Sequence, residues 1–321
     1  MSDTLIIGTR GSELALVQAD LTERTLAAAF PGIELRRQII RTTGDRRTDV
    51  ALSQVAKVEG VIDKGVFIKE LEMALDAGEI DLAVHSMKDV PTVLEPRFAI
   101  AAVLERAPVR DVLLSRTPGG IDGLPEGAIV GTSSPRRAKQ MEWLRPDVKT
   151  RDLRGNVPTR LQKLAAGEEY NAILLAEAGL IRLGFLPGEN ASETDESVRS
   201  EDGSLDALFA TRLPEHVFFP AAGQGAIGFE IRANDAITRV RAEAIGHQET
   251  WLRLTAEREF LRLLEGGCHT PVGVYSKITG DTIHLHARVF PETGGKPRVA
   301  EIAAAANDPL SAASILFHSL A

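Results

Sequence analysis

Cysteine is almost absent from this sequence, since Cys268 is the only one among 321 residues. A single cysteine excludes an intrachain disulfide and argues against both a disulfide-rich secreted scaffold and a cysteine-rich zinc site. The segment Met1–Arg10 also lacks a basic region followed by an apolar region, the pattern of an export signal. We therefore expect a cytoplasmic protein.

Long hydrophobic runs are missing as well, and no apolar run approaches the ~20 residues that a membrane-spanning helix needs. The chain has 37 basic and 45 acidic residues, which gives a net charge of −8. This acidic balance argues against nucleic-acid binding by the whole surface. Hydrophobic residues make up 44% and charged residues 26%, as in globular proteins, and the length predicts two or three domains. We expect neither a membrane nor a nucleic-acid partner.

The charge is unevenly distributed along the chain. Between Gly131 and Lys163 there are nine basic residues and three acidic ones. The stretch Glu189–Asp206 is instead acidic and serine-rich, and we predict a loose loop there without a function. A charged run is usually a solvated face, so the basic run matters only if its residues lie at a site.

Strand and helix patterns alternate over the first two thirds of the chain. The predicted strands Leu5–Thr9 and Val148–Leu153 are each followed by a helix, and Asp81–His85 and Phe98–Leu104 are predicted buried strands. The rhythm restarts after Pro108. This pattern predicts two α/β units with mainly parallel sheets. Beyond about residue 244, a helix, a hairpin, a third strand and a closing helix predict a smaller α+β domain. The expected fold class is therefore α/β, with two doubly wound lobes and a small α+β C-terminal domain.

Two motifs in the sequence suggest sites that their surroundings do not support. Gly223–Gly228 matches the dinucleotide pattern G-x-G-x-x-G, but it runs into the predicted strand Phe229–Arg232 rather than into a helix. Cys268-His269 suggests a metal, but zinc needs three or four ligands and no second cysteine exists. We expect neither a dinucleotide site nor a metal site.

Basic residues lie where predicted strands lead into helices. Arg10 follows the first strand, Lys88 follows Asp81–His85, Arg136 and Arg137 lie in a helix's first turn, and Arg154 ends Val148–Leu153. Ligands of open α/β sheets bind at the carboxyl ends of strands, and arginine grips carboxylates through two parallel hydrogen bonds. Cations in a helix's first turn oppose its dipole, which suggests an anion beside them. The pattern predicts a ligand with several carboxylates or phosphates.

Asp89 is the exception within this cationic group. An acidic side chain cannot help to bind an anion, so the expected role of Asp89 is to stabilise a developing cation or to transfer a proton. The simpler alternative is a surface ion pair with Lys88.

Seven segments resemble one enzyme family in its own order along nearly the whole chain. The family is hydroxymethylbilane synthase, also called porphobilinogen deaminase. The segments are Thr9–Ser12, Ala83–Pro91, Gly131–Arg137, Leu153–Val157, Ala178–Gly184, Gly223–Ala226 and Glu265–Cys268.

The resemblance implies three domains, of which the first two are lobes like those of periplasmic binding proteins. Domain 1 would comprise residues 1–105 plus about 226–243, domain 2 residues 106–225, and domain 3 residues 244–321. The resemblance also implies a dipyrromethane cofactor joined to Cys268 by a thioether. The enzyme would be a monomeric transferase of tetrapyrrole (heme) biosynthesis that joins four porphobilinogens head to tail, loses ammonia each time, and releases hydroxymethylbilane by hydrolysis.

The resemblance also assigns roles to individual residues. Asp89 would stabilise the cationic methylene-pyrrole left when ammonia departs, and would assist proton transfers. The residues expected to bind substrate are Arg10, Ser12, Arg154, Arg160, Arg182 and Gln224, and those expected to bind the cofactor with Cys268 are Lys88, Thr132, Ser134, Arg136 and Arg137. The stretch between Lys57 and Lys64 is longer than the family's usual link, so Lys57 receives no role.

Two other functions remain as alternatives. A non-catalytic two-lobed anion-binding protein would explain the lobes and the arginines, but not Asp89 or Cys268. A cysteine-dependent hydrolase would need a histidine base within reach of Cys268, and the adjacent His269 is poorly placed to share one proton with it.

Overall fold

The computed structural model describes residues 4–42, 68–188, 196–200, 202–265, 271–291 and 295–320. The elements up to residue 182 are β1 (Thr4–Arg10), α1 (Glu13–Ala29), β2 (Glu34–Ile40), α2 (Lys69–Asp76), β3 (Leu82–Ser86), β4 (Phe98–Val103), β5 (Asp111–Ser115), β6 (Ile129–Gly131), α3 (Pro135–Leu144), β7 (Lys149–Arg151), α4 (Val157–Ala166), β8 (Ala172–Ala176) and α5 (Glu177–Arg182). The later elements are β9 (Glu196–Ser197), β10 (Phe209–Leu213), β11 (Ile227–Arg232), α6 (Ala236–Ala244), α7 (Gln248–Leu263), β12 (Val272–Thr279), β13 (Thr282–Val289), β14 (Arg298–Ala305) and α8 (Pro309–His318). A single 3-10 turn, Met87–Asp89, follows β3.

The first lobe is built on a five-stranded sheet with the order β2-β1-β3-β11-β4. On one face, Leu26 of α1 and Ala242 of α6 pack against Leu82 and Phe229. On the other face, α2 packs against the sheet through residues such as Leu71. Helices on both faces make this a doubly wound lobe.

The second lobe repeats this layered arrangement around a six-stranded sheet with the order β7-β6-β8-β5-β10-β9. Leu161 of α4 and Leu180 of α5 pack against one face, together with Ile173. Met141 of α3 packs against the other face, together with Val130. The prediction of two α/β lobes is therefore confirmed.

The prediction of mainly parallel sheets is only partly correct, because both sheets also contain antiparallel strands. In the first sheet, β11 lies between β3 and β4 and runs antiparallel to both. In the second sheet, β5 runs antiparallel to β8 and β10. These strands lie where the chain passes from one lobe to the other without the helical crossover that parallel neighbours need.

The C-terminal part forms a three-stranded antiparallel sheet, β12-β13-β14, as predicted. Two helices, α7 and α8, cover one of its faces, and Phe260, Leu285 and Leu316 are fully buried between them. The strands β12 and β13 are joined at Gly280, whose φ of +59° is available to glycine at little cost. This small α+β unit confirms the third element of the expected fold, whereas the domain boundaries stay a prediction.

Two serines begin the helices that follow the strand ends. Ser12 accepts a hydrogen bond from the Ala15 N–H at 3.4 Å, and Ser134 accepts one from the Arg137 N–H at 3.5 Å. Pro135 fills the first helical position of α3. These caps fix where each strand turns into a helix.

The predicted loop Glu189–Asp206 contains a strand, which corrects that expectation. Glu196–Ser197 forms β9 and pairs with β10, and the Glu196 carboxylate pairs with the buried Arg212 at 2.9 Å. Residues 189–195 and 201 of this stretch lie outside the described residues. Among the helices of the described segments, none is long and apolar enough to cross a membrane.

Candidate functional site

A cleft lies between the two lobes. Its polar lining comes from α1, the end of β3 and the following turn on one side, and from α3, α4 and α5 on the other. The polar residues that line it are Gln18, Ser86, Lys88, Arg137, Arg160 and Arg182. Four of these six carry positive charge, and no acidic side chain of the described residues lines the cleft. The cleft can therefore bind a ligand with several negative groups.

The predicted site residues follow the carboxyl ends of the strands. Arg10 ends β1, and Ser12 begins the helix after it. Thr132 and Ser134 follow β6 and precede α3. The strands β1 and β3 run parallel, so Arg10 and the turn that follows β3 lie at the same edge of the first sheet.

The turn that carries Lys88 and Asp89 is held against the chain segment crossing between the lobes. The Met87 N–H donates to the Ala226 carbonyl at 3.0 Å. Gly223 has a φ of +71°, and a Cβ there would lie 3.0 Å from the Met87 carbonyl carbon and 3.1 Å from the Lys88 nitrogen. Only glycine fits this approach without displacing the turn. The glycine-rich motif thus packs against the turn and leads into the strand β11, as predicted.

Burial lowers the pKa of three cations of the cleft. Burial lowers the pKa of Lys88 to about 8, opposed by Asp89 and reinforced by Arg137. Burial also lowers the pKa of Arg160 to about 10, with Arg137 acting in the same direction, and burial alone lowers that of Arg182 to about 10. A charged group that loses water in this way is stabilised by a bound anion. The cleft therefore favours anionic ligands electrostatically.

Asp89 is half-buried and lies among these cations. Its charge acts on both Lys88 and Arg160. No residue in the described segments donates a hydrogen bond to its carboxylate. This carboxylate can therefore face a positive charge that develops on a ligand.

Arg136 and Arg137 contact an anion of the chain itself. The Arg136 Nη1 donates to Asp111 Oδ2 at 2.6 Å, and the Arg137 Nε and Nη2 donate to Asp111 Oδ1 at 3.0 and 2.7 Å. The sequence suggested that an anion lies beside these arginines, and in this structure that anion is the fully buried Asp111. Arg137 also borders the cleft, whereas the role of both residues towards a cofactor stays a prediction.

Gln224 lies beneath the cleft rather than on its surface. Its side chain is fully buried, and its Nε2 donates to the Val109 carbonyl at 2.7 Å and to Asp111 Oδ1 at 3.1 Å. A contact between Gln224 and substrate would need a rearrangement of these bonds. Arg154 is half-buried, and its charge acts on Arg160, which places it beside the cleft.

Sequence reasoning missed three polar residues of the site. Gln18 and Ser86 line the cleft, and the Gln18 Nε2 donates to Ser86 Oγ at 2.8 Å across α1 and β3. Ser86 lies within the segment Ala83–Pro91, which was a signal for it. Asp111 follows Arg110 at the start of β5, and nothing in its sequence neighbourhood indicates a buried acid.

Cys268 and Lys57 lie outside the described residues, so the proposed attachment point of the cofactor has no structural description here. The helix α7 ends at Leu263, shortly before Cys268 in the sequence. The described residues contain no cluster of histidine, cysteine or acidic side chains that could hold a metal ion.

Comparisons with known proteins agree over most of the chain. The family model "Porphobilinogen deaminase, dipyromethane cofactor binding domain" matches residues 5–240, and "Porphobilinogen deaminase, C-terminal domain" matches residues 251–316. The porphobilinogen deaminase of Syntrophobacter fumaroxidans is 44% identical over 90% of this chain and 85% of its own. That of Chlorobium luteolum is 42% identical over 90% of this chain and 84% of its own.

Solved structures give a weaker likeness. The methionine-binding protein MetQ has a TM-score of 0.43 and 10% identity over 78% of this chain and 93% of its own, which is too low to carry an argument. The sequence matches are decisive, and they agree with the cationic cleft between the lobes. The chain belongs to the porphobilinogen deaminase family.

Proposed function

We propose that the cleft is where four porphobilinogen molecules are joined head to tail, each with loss of ammonia, before hydrolysis releases hydroxymethylbilane. Every porphobilinogen carries one acetate and one propionate group, so the growing product is a polycarboxylate. The observation that carries this proposal is a cleft lined by Lys88, Arg137, Arg160 and Arg182, with the carboxylate of Asp89 beside them. This places the enzyme in tetrapyrrole biosynthesis.

The residues of the cleft fit the family's dipyrromethane cofactor. Two linked pyrrole units carry four carboxylates, and the buried cations of the cleft gain stability from such partners. Lys88 and Arg137 on the cleft wall suit this binding, and we propose that Thr132, Ser134 and Arg136 support it. Cys268 would hold the cofactor covalently through its sulfur. When bound, the dipyrromethane supplies the pyrrole carbon to which the first substrate is joined.

Asp89 would act on the substrate when ammonia leaves. The departure of ammonia develops positive charge on the substrate's pyrrole and methylene carbon. A fixed carboxylate stabilises that charge more in a partly water-excluded site than in water. The same carboxylate can accept and return a proton at the pyrrole nitrogen.

The remaining predicted residues would hold substrate carboxylates. Arg160 and Arg182 line the second-lobe wall, and Arg154 lies beside Arg160. We propose that Arg10, Ser12 and Gln224 contribute from the first lobe and the crossing segment, Gln224 after its hydrogen bonds rearrange. Because one chain builds both walls of the cleft, we propose that the enzyme works as a monomer, and its single cysteine supports a cytoplasmic location.

The test is to incubate the purified protein with porphobilinogen and to measure both ammonia and the released tetrapyrrole. We expect four ammonia molecules for each tetrapyrrole released. An anion-binding protein would bind porphobilinogen without releasing ammonia, and that result would contradict the proposal.

The role of Asp89 is tested separately. We expect Asp89→Asn to retain the cofactor mass and to lose nearly all turnover. Asp76→Asn, on the exposed end of α2, serves as the matched control and keeps normal turnover. Near-normal turnover in Asp89→Asn would remove Asp89 from the mechanism.

A further inference from the structure

One side chain of the third unit contacts the turn that carries Asp89. Arg258 lies on α7, and its Nη1 donates to the Val90 carbonyl at 3.0 Å while its Nη2 donates to the Pro91 carbonyl at 2.6 Å. Val90 directly follows Asp89 and is 1% exposed. The planar guanidinium thus fixes two consecutive carbonyls by a fork that lysine cannot reproduce.

The same helix holds the turn at further points. Leu254, one helical turn before Arg258, packs in a buried cluster with Met87 and Val90. The carboxylate of Glu257 accepts the Gly223 N–H at 2.9 Å, and Gly223 in turn packs against the turn. The contacts made by α7 therefore restrain the turn both before and after Asp89.

The Arg258 guanidinium is shielded from water where it contacts these carbonyls. Burial lowers the pKa of Arg258 to about 10, opposed by the charge of Glu230. No carboxylate accepts a hydrogen bond from Arg258 within the described segments. Burying a charge costs free energy unless its hydrogen bonds are made, so Arg258 keeps its place only while the Val90 and Pro91 carbonyls stay within reach.

Arg262, one turn further along α7, differs from Arg258 in exposure and in its hydrogen-bond partners. It is half-exposed, and its Nε and Nη2 contact the Glu259 carboxylate at 2.7 Å on the same helix. Within the described part of the chain Arg262 makes no hydrogen bond or ion pair with the turn, although both arginines border the same surface groove. The two arginines therefore form a matched pair for experiment.

We propose that Arg258 is a positioning residue for the reaction: by holding the Val90 and Pro91 carbonyls, it lets α7 fix where the Asp89 carboxylate stands beside the cleft. The inference rests on the proposed function of Asp89. Arg258 does not touch the cleft itself, so it acts through the backbone that follows Asp89. The helix that leads towards Cys268 would thereby set the position of the reacting carboxylate.

The first test compares Arg258→Met, Arg258→Lys and Arg262→Met for kcat, KM, thermal unfolding and intact mass. A misplaced reacting group of about 1 Å costs on the order of 100-fold in rate. We expect kcat to fall by that order in Arg258→Met while KM changes less than about threefold and the cofactor mass stays, because substrate binding groups are untouched. Arg258→Lys, with one ammonium for two carbonyls, should recover part of kcat, and Arg262→Met should match the wild type.

Two results of this test would overturn the inference. One is an unchanged kcat in Arg258→Met, and the other is a change that falls on KM alone. If Arg258→Met fails to fold, Arg258→Lys decides, since a kcat equal to that of the wild type contradicts a need for the fork.

A second test separates this inference from the role of Asp89. The rate of the first substrate addition, followed by intact mass, is compared in Asp89→Asn with and without Arg258→Met. A residue that acts only through Asp89 should add less than about twofold to the loss in Asp89→Asn. A further loss on the order of 100-fold would show that Arg258 acts elsewhere and would overturn the inference. If Asp89→Asn alone keeps normal turnover, the proposed function of Asp89 fails instead.

Discussion

Replacement of Asp111 by asparagine tests how the second lobe holds its two adjacent arginines. Asp111 is fully buried and accepts three hydrogen bonds from Arg136 and Arg137 and one from Gln224. Asparagine keeps the shape but removes the charge, which leaves two buried guanidinium groups without a counter-ion. Breaking a buried ion pair from one side costs about 3–5 kcal/mol. Since asparagine still accepts a hydrogen bond, we expect a loss of about 3 kcal/mol.

Urea unfolding followed by tryptophan fluorescence can measure this loss within the second lobe. The chain has two tryptophans, of which Trp143 lies on α3 and Trp251 on α7. A Trp251→Phe background leaves Trp143 as the reporter, on the same helix as the two arginines. With a urea dependence of about 2 kcal/mol per molar, the midpoint should fall by about 1.5 M. Asp147→Asn, which breaks a more exposed pair with Arg145, should shift the midpoint far less.

The effect has a defined pH dependence. Burial alone would raise the pKa of Asp111, but the Arg136 and Arg137 guanidinium groups outweigh it and hold this pKa well below its usual range. A carboxylate with a lowered pKa in the folded state stabilises the protein above its unfolded pKa of about 3.9. That stability is lost progressively as the pH falls from the unfolded pKa towards the folded one. The difference between wild type and Asp111→Asn should therefore stay constant from about pH 5 to 8 and shrink in stronger acid.

Either of two results would refute this reasoning. A loss below about 1 kcal/mol would mean that the two arginines do not depend on the Asp111 charge. A difference that disappears between pH 5 and 8 would mean that the carboxyl group is not held in its charged form.

Three further predictions concern the cleft. In a cofactor-free Cys268→Ala variant, we expect NMR of the methylated Lys88 amine to show a pKa near 8. Polycarboxylate binding should then weaken as the pH rises through 8, because Lys88 loses its charge. An ordinary lysine pKa would contradict the burial of Lys88. Arg182→Met should raise the KM for porphobilinogen about 10- to 100-fold, which corresponds to one charge-assisted hydrogen bond. The melting temperature should fall slightly, because the Arg182 Nη2 also donates to the Gly225 carbonyl at 2.7 Å. An unchanged KM would remove Arg182 from substrate binding. Gly223→Ala should cost about 1–3 kcal/mol of stability, because the residue has a positive φ. It should also lower kcat, because the added Cβ displaces the turn that carries Asp89. A loss of stability with normal kcat would show that the reaction tolerates this displacement of the turn.

The sequence was sufficient to predict the layered architecture, because apolar periodicity and helix caps are local signals. Ser12 and Ser134 are such caps, and each begins a helix that follows a strand. Strand direction was not predictable in the same way, because β5 and β11 are placed by the crossings between lobes. The strand β10 was missed because its Arg212 is 1% exposed, and a buried arginine breaks the apolar alternation.

In the candidate site, likewise, positions set by local sequence signals were predicted, whereas contacts between residues far apart in the sequence were not. Strand-end positions of Arg10, Lys88 and Arg137 were enough to predict a cationic site. The partner of Arg137 could not be predicted, because Asp111 lies 26 residues away in the sequence and reaches it only in the folded lobe. The same holds for Arg258, whose acceptors lie 168 and 167 residues away.

The intact mass of the acid-denatured protein tests the central claim most directly. The account predicts that the wild type carries an additional mass of two linked pyrrole units, and that this mass is absent from Cys268→Ala. Further units should add to the wild type when porphobilinogen is supplied, and none should add to the variant. A wild type that keeps the bare polypeptide mass after incubation with porphobilinogen would contradict the account.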